Sequence, residues 1–287
     1  MVELGFVEKI QAIHDLLKTE LPVAAGICVV AGMVISGQTP SISMLILGFA
    51  VGFFISGTAM MSNDYWDLEV DKINHPSRPL PSGRITVTEV KILSTLFSMA
   101  GLSAAAIMGT VPLLFSIIIW IVGLLYNWKY KESGLPGNIM VSISVSSTFI
   151  LGGIAAGGLQ NRIVWLFGLI AFLFDLAEEI ASGAMDIEGD ALRDVKSIAR
   201  VMGKEFAIRT SVVIFFLVSL LTFVPYLYSW FGGFYLISVI ILNLGVYFFV
   251  FKLLNSSTPE EGRGILRSLY IAMLFFVVVF IANIILN

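Results

Sequence analysis

Long apolar stretches, one after another, are the feature that most constrains how this chain can fold. A helix that crosses the hydrocarbon core of a bilayer needs about 20 mostly apolar residues. Hydrophobic residues make up 57% of the chain and charged residues 13%, whereas soluble domains average about 25% charged residues. The sequence predicts an all-α, polytopic membrane protein with about nine transmembrane helices. They begin near Leu21, Ile42, Val90, Val111, Pro136, Ile163, Phe206, Phe231 and Ile265.

The basic residues predict which ends of these helices face the cytoplasm. Of 17 Lys and Arg residues, only Arg162 lies between the fifth and sixth predicted spans, and the other 16 precede the first span or lie at alternate connections. Because cytoplasmic loops carry an excess of Lys and Arg, we expect a cell-membrane protein with a cytoplasmic N-terminus and an external C-terminus. Two long polar segments, 62–89 and 186–204, then share the cytoplasmic side, where we expect the active site.

The first polar segment carries a row of carboxylates. Asp64, Asp67 and Asp71 are spaced three and four residues apart, and Asn63 precedes them. On a helix these aspartates share one face. Carboxylates gathered at a membrane boundary are costly unless a cation joins them. A ligand set of oxygens alone suits Mg²⁺, which characteristically bridges one or two carboxylates to substrate phosphates.

Prolines and basic residues follow this row directly. Pro76, Pro79 and Pro81 are expected to end the helix, because proline removes a backbone hydrogen bond and clashes with the preceding turn. The loop that results would hold basic side chains beside the carboxylates. The candidate phosphate contacts are Lys72, His75 and Arg78.

The second polar segment repeats the pattern. Asp186, Asp190 and Asp194 recur every four residues, with Lys196 close behind, and they would share a face for as long as a helix lasts. A single pair of this spacing is most often a solvated helix face. Two acidic helix ends on the same side, each followed by basic residues, favour a clamp in which two cations hold a diphosphate.

Two further groups of polar residues leave alternatives open. Tyr126 and Lys131 lie between the fourth and fifth predicted spans, where an aromatic belt with snorkelling lysines is as good an interpretation as a functional site. Asp175, Glu178 and Glu179 lie inside the sixth apolar stretch, and an acid within a membrane span is functional by default. Asp175 is expected to line the same cavity as the second motif, but no role follows from the sequence.

Taken together, these motifs resemble the UbiA superfamily of intramembrane prenyltransferases. Residues 63–71 match the family motif NDxxDxxxD in full, 78–83 match RPxPSG, and 186–190 match DxEGD. Tyr126 and Lys131 match the family's Tyr-x4-Lys element, and residues 135–138 its LPGN. Because the resemblance covers essentially the whole chain, it implies a single transmembrane prenyltransferase domain, 1–287, with about nine helices around a central cavity.

The resemblance also implies an Mg²⁺-dependent reaction and roles for individual residues. The resemblance implies that two Mg²⁺ ions hold the diphosphate of a prenyl donor between the motifs. The implied metal ligands are Asp64, Asp67, Asp71, Asp186 and Asp190. The implied diphosphate contacts are Asn63, Arg78, Lys131 and Lys196. Tyr126 would contact the leaving oxygen or the carbocation, and Asp194 would activate the acceptor.

The acceptor is the least constrained partner. The motifs look closest to archaeal-type members that prenylate geranylgeranylglyceryl phosphate in ether-lipid synthesis, with an aromatic or quinone-precursor acceptor as the alternative. Many members carry a base near the start of the first span, whereas this chain has Glu20 there, so acceptor recognition is expected to differ from that of enzymes acting on 4-hydroxybenzoate. The expected partners are a prenyl diphosphate, a lipophilic acceptor and the bilayer, without nucleic acid.

A cation-coupled transporter is a remote alternative. The acids of such a transporter would lie in inverted repeats near the bilayer midplane, whereas both aspartate motifs of this chain are predicted at the cytoplasmic side.

Overall fold

The computed structural model describes residues 5–187 and 195–286, and this part of the chain is helical without a strand. The helices of the first half are α1 Phe6–Leu17, α2 Glu20–Ile35, α3 Ile42–Trp66, α4 Leu68–Asn74, α5 Val87–Met108, α6 Thr110–Leu125 and α7 Leu135–Ala155. A π-helix, Tyr126–Tyr130, and a 3₁₀ turn, Lys131–Ser133, connect α6 to α7. The helices of the second half are α8 Arg162–Met185, α9 Ile198–Met202, α10 Lys204–Thr222, α11 Val224–Leu227, α12 Gly233–Leu254 and α13 Pro259–Leu286.

The long helices correspond to the predicted spans, each beginning within a few residues of its expected start. By length and composition seven of them can cross a membrane, and the number rises to eight if α1 and α2, a pair bent by 58°, count as one span. Helix α8 is as long as the others but contains Asp175, Glu178 and Glu179, so its composition is less apolar. The prediction of a multi-pass helical protein is confirmed, and the figure of nine spans is approximate.

Helix α2 joins the two halves of the bundle by packing against α3, α7 and α13. Its contact with α7 is between backbones, since a Cβ added to Gly32 would meet the carbonyl group of Phe149, and one added to Gly152 would meet that of Val29. Small residues allow this kind of approach between helices in membranes. On one side of this contact, α2, α3, α6 and α7 surround an apolar cavity. On the other side, α8, α10, α12 and α13 enclose a core in which Phe167 and Phe280 stack.

The contact between α2 and α7 generates a stability prediction. We expect Gly32→Ala to destabilise the protein by about 1–3 kcal/mol, because the added methyl group meets backbone atoms that cannot turn aside. Thermal unfolding in detergent measures the effect. The matched control is Gly245→Ala, in the middle of α12, where a Cβ meets nothing within 4 Å. The control is expected to leave stability unchanged or raise it, since alanine favours helix over glycine. Equal effects of the two substitutions would contradict the backbone contact.

Candidate active site

The first carboxylate row lies where α3 passes into α4. Asp67 separates the two helices, yet its N–H donates to the Asn63 carbonyl at 2.9 Å and the Asp71 N–H donates to the Asp67 carbonyl at 2.8 Å. Helical spacing therefore continues across the junction, and the predicted sharing of one face by Asp64, Asp67 and Asp71 is confirmed. Helix α4 ends at Asn74, before the prolines, as predicted.

Basic side chains from distant parts of the chain hold these carboxylates. Lys18 Nζ donates to Asp64 Oδ1 at 2.9 Å. Arg78 Nη1 donates to Asp71 Oδ2 at 2.6 Å and lies 3.9 Å from Asp64 Oδ1. Only 1% of the Asp64 side chain and 4% of the Asp71 side chain are exposed, so the cations compensate charges that water does not reach.

The third carboxylate, Asp67, is held by a lysine from the connection between α6 and α7. Lys131 Nζ contacts Asp67 Oδ2 and donates to Asn63 Oδ1 at 2.6 Å. Lys131 opens the 3₁₀ turn directly after the π-helix. Lys131 thus contacts both Asp67, a predicted metal ligand, and Asn63, a predicted diphosphate contact.

Lys18 is the site residue that the sequence reasoning missed. Where many family members have a base, this chain has Glu20, and the lysine two positions earlier was not predicted to belong to the site. Lys18 adopts a left-handed conformation, φ 47° and ψ 56°, at the break between α1 and α2. Such a conformation is unusual for a residue with a side chain. The sequence shows that a lysine is present in this region, but it does not show the backbone conformation that directs the lysine toward Asp64.

The other two candidate phosphate contacts in this region lie away from the row. Lys72 is part of α4 instead of the following loop, and it pairs with Glu69 at 2.7 Å on an exposed surface. His75 is also exposed. Of the three basic residues predicted to surround the carboxylates, Arg78 alone reaches them in the described structure.

Tyr126 begins the π-helix and lines two cavities. One is the apolar cavity, of about 970 Å³ with its open mouth, and the other is a polar pocket of about 750 Å³. The amide of Asn127 anchors this segment to α3, donating to the Ala59 carbonyl at 2.8 Å and to Ser62 Oγ at 2.7 Å. Single π-turns are frequent at functional sites.

The two interpretations of this aromatic segment apply to different residues. Trp128 is 58% exposed and Tyr130 40% exposed, as an aromatic belt at a membrane interface requires. Tyr126 instead borders the interior. The extra residue of a π-turn is a physical means of turning neighbouring side chains in different directions.

The second motif begins just past the end of α8. Helix α8 ends at Met185, and Asp186 has φ −123° and ψ 27°, so the first aspartate of the motif lies just outside α8. Asp186 lines the polar pocket together with Tyr126 and Lys131. Asp190 and Asp194 lie outside the described residues.

The backbone of Lys196 contacts Glu132, a residue that lines this pocket. Its N–H donates to the Glu132 carbonyl at 3.3 Å, while its side chain is exposed and is not part of the pocket lining. Gly134, with φ 73°, allows the approach, because a Cβ there would meet the Lys196 carbonyl group. This contact links the segment after the second motif to the turn that carries Lys131.

The acids inside α8 divide between two environments. Asp175 Oδ2 accepts a hydrogen bond from Ser142 of α7 at 2.8 Å. Glu179, one turn later, lines the polar pocket. The sequence predicted that Asp175 would share the cavity of the second motif, and the structure assigns that position to Glu179 instead.

The oxygen ligands of the two motifs fit a metal bound together with a phosphate group. Within residues 5–187 and 195–286, no three His, Cys, Asp or Glu side chains converge as a complete protein cage. Mg²⁺ does not require one, because it is usually held by one or two carboxylates with substrate phosphates completing the shell. Asp64 Oδ2 is buried without a hydrogen-bond partner, as expected of an oxygen that awaits a ligand.

Comparison with known proteins places the chain in a family. Residues 25–284 match the UbiA prenyltransferase family. A digeranylgeranylglyceryl phosphate synthase from Methanococcus vannielii is 32% identical over 274 residues, 95% of this chain and 97% of that protein. A structure from work on digeranylgeranylglyceryl phosphate synthase in membranes is 29% identical, with a TM-score of 0.76 over 98% of this chain and 100% of that one. A UbiA homolog from Archaeoglobus fulgidus, bound to GPP and Mg²⁺, shares the fold at 18% identity, with a TM-score of 0.69 over 96% of this chain and 100% of that one. The chain therefore belongs to the UbiA prenyltransferase family and is a multi-pass membrane prenyltransferase.

Proposed function

We propose that the protein transfers an isoprenyl group from a prenyl diphosphate to the hydroxyl group of geranylgeranylglyceryl phosphate, forming an ether bond of archaeal lipids. The observation that carries the proposal is the position of Tyr126, where a polar pocket with acidic and basic side chains meets an apolar cavity. A donor with a charged head and a long apolar tail fits this junction. The choice of acceptor is supported by the relatives named digeranylgeranylglyceryl phosphate synthase, one of which is 32% identical in an alignment that covers 95% of this chain.

The diphosphate head would lie between the two aspartate motifs with two Mg²⁺ ions. The ligands would come from the first row, Asp64, Asp67 and Asp71, and from Asp186 and Asp190 of the second motif. When bound, Mg²⁺ stabilises the negative charge that develops on the departing diphosphate. The A. fulgidus homolog, which is bound to GPP and Mg²⁺, supports a prenyl diphosphate held together with Mg²⁺.

Loading the site would exchange one set of ion pairs for another. Lys18, Arg78 and Lys131 hold the carboxylates in the present structure. With a metal and a diphosphate bound, the carboxylates would hold the metal and the basic groups would bind phosphate oxygens. Uncompensated buried charge is costly, and this exchange avoids it. Asn63 would donate its amide to a phosphate oxygen, while the role of Lys196 stays a prediction.

The isoprenyl tail would lie in the apolar cavity between α2, α3, α6 and α7. Small residues such as Gly52, Ala59 and Gly123 line its wall. An apolar chamber excludes the water that would otherwise quench an allylic carbocation. Tyr126, at the mouth, presents an aromatic ring that can stabilise that positive charge.

The proposed reaction takes place at the cytoplasmic side of the cell membrane. The whole chain, 1–287, would act as one domain in the cell membrane. The Lys and Arg excess on one side supports a cytoplasmic N-terminus, an external C-terminus and an active site at the cytoplasmic helix ends.

The metal assignment is tested by Asp67→Ala. We expect at least a hundredfold loss of Mg²⁺-dependent diphosphate release, on the scale of removing a group that positions transition-state charge stabilisation. The assay uses purified protein in detergent, a labelled prenyl diphosphate and a panel of glyceryl phosphate and aromatic acceptors. Glu69→Ala is the control, since Glu69 belongs to the same segment and pairs with Lys72 on the surface. Metal-independent turnover, or equal rates in the two variants, would sink the proposal. Transfer to aromatic acceptors alone would assign a different acceptor.

The tail site is tested by Gly123→Leu. Gly123 lines the cavity, and a Cβ there meets only the Ala59 methyl group at 3.9 Å, so a larger side chain should occupy the cavity without breaking the helix. We expect kcat/KM for geranylgeranyl diphosphate to fall at least about tenfold relative to that for geranyl diphosphate, since lost tail contacts are worth this much. Gly245→Leu is the control in open space. An unchanged ratio for Gly123→Leu would place the tail elsewhere.

A further inference from the structure

Prenylation of a hydroxyl group releases a proton, and we propose that Glu179 is the group that accepts it. This inference rests on the proposed function, because an alcohol acceptor must lose a proton to become an ether. Glu179 lines the polar pocket that also contains Tyr126, Lys131 and Asp186. Glu179 therefore borders the chamber in which the reaction would take place.

The depth of Glu179 matches the position of the reacting atoms. Asp186 follows Glu179 by seven residues, just past the end of α8, so about two helical turns, or about 10 Å along the helix axis, separate the two residues. If the diphosphate lies at the level of Asp186, then the first carbon of the donor and the attacking oxygen lie deeper, toward the apolar cavity. Glu179 is the acid of α8 that lines the polar pocket at that deeper level.

Glu179 is also free to take a proton. No hydrogen bond or ion pair within 4.0 Å engages its carboxylate among the described residues, whereas neighbouring Asp175 is held by Ser142. Lys131 lies close enough for its charge to act on Glu179, as does Asp175. A carboxylate inside a membrane bundle that lacks a structural partner is costly to keep, which argues for a chemical role.

The adjacent acid, Glu178, provides a matched contrast. Successive residues of a helix point about 100° apart, and Glu178 does not line the polar pocket. Asp175 and Tyr270 of α13 lie close enough to Glu178 for their charges to interact with it. The two glutamates thus share helix, depth and side-chain type and differ in the direction they face.

The proposed step balances in atoms and charge. The bond between the first carbon of the donor and the diphosphate oxygen breaks, and its electron pair leaves with the diphosphate. The acceptor oxygen forms the new bond to that carbon. Its proton passes to the Glu179 carboxylate, which later returns it to solvent through the pocket.

The experiment compares Glu179→Gln with Glu178→Gln in purified protein, with geranylgeranyl diphosphate, Mg²⁺ and geranylgeranylglyceryl phosphate. General-base catalysis is worth about 10²–10⁴-fold, so we expect kcat to fall at least about a hundredfold in Glu179→Gln. Binding of a non-hydrolysable donor analogue is expected to change less than about threefold. Glu178→Gln should keep kcat within about threefold of the wild type. Glu179→Asp, which retains the acid, should recover part of the lost activity.

The pH profile separates a chemical role from a structural one. Wild-type kcat is expected to decrease toward low pH as the base becomes protonated, and the residual activity of Glu179→Gln is expected to lack that decrease. Equal kcat in the two glutamine variants, equal losses of kcat and donor affinity, or an unchanged pH profile would overturn the assignment. Failure of the wild-type protein to form any ether would instead contradict the proposed acceptor. Ether formation by the wild type and equally by Glu179→Gln would contradict the role of Glu179 alone.

Discussion

Three carboxylates on one face of a helix, where a membrane span ends, repel one another unless cations neutralise them. The first aspartate row presents this problem, and much of the remaining site is arranged to meet it. Asp64 and Asp71 are almost completely removed from solvent, so water contributes little. Lys18, Arg78 and Lys131 supply the compensating charge. A metal–diphosphate complex, which combines positive and negative charge, can replace these ion pairs without leaving either partner unpaired.

Each of these cations comes from a place where regular helix is interrupted. Lys18 lies at the left-handed break between α1 and α2, Arg78 in the proline-rich turn after α4, and Lys131 after the π-helix. A straight helix can direct a side chain only along its own surface, whereas an interruption directs it toward a neighbouring helix. The irregular segments of this bundle are thus the parts that bring charge to the carboxylate row.

Much of the architecture could be predicted from sequence because its causes are local. Apolar length predicts the spans, and the spacing of Asp64, Asp67 and Asp71 predicts their common face. The contribution of Lys18 could not be predicted, since it depends on a backbone conformation that lysine rarely adopts. The inward direction of Tyr126 depends on a π-turn, and the choice of Glu179 over Asp175 depends on how α8 rotates against α7. These are tertiary properties that residue spacing does not contain.

The central claim is that basic side chains hold the carboxylate row until metal and diphosphate replace them. Calorimetric titration of Mg²⁺ without diphosphate tests it most directly, comparing the wild type with Lys18→Met. Lys9→Met is the control, since Lys9 pairs with Glu89 at 2.7 Å, outside the row. The account predicts tighter Mg²⁺ binding in Lys18→Met than in the wild type or the control, because a competing cation has been removed from Asp64. Equal or weaker binding in Lys18→Met would contradict it.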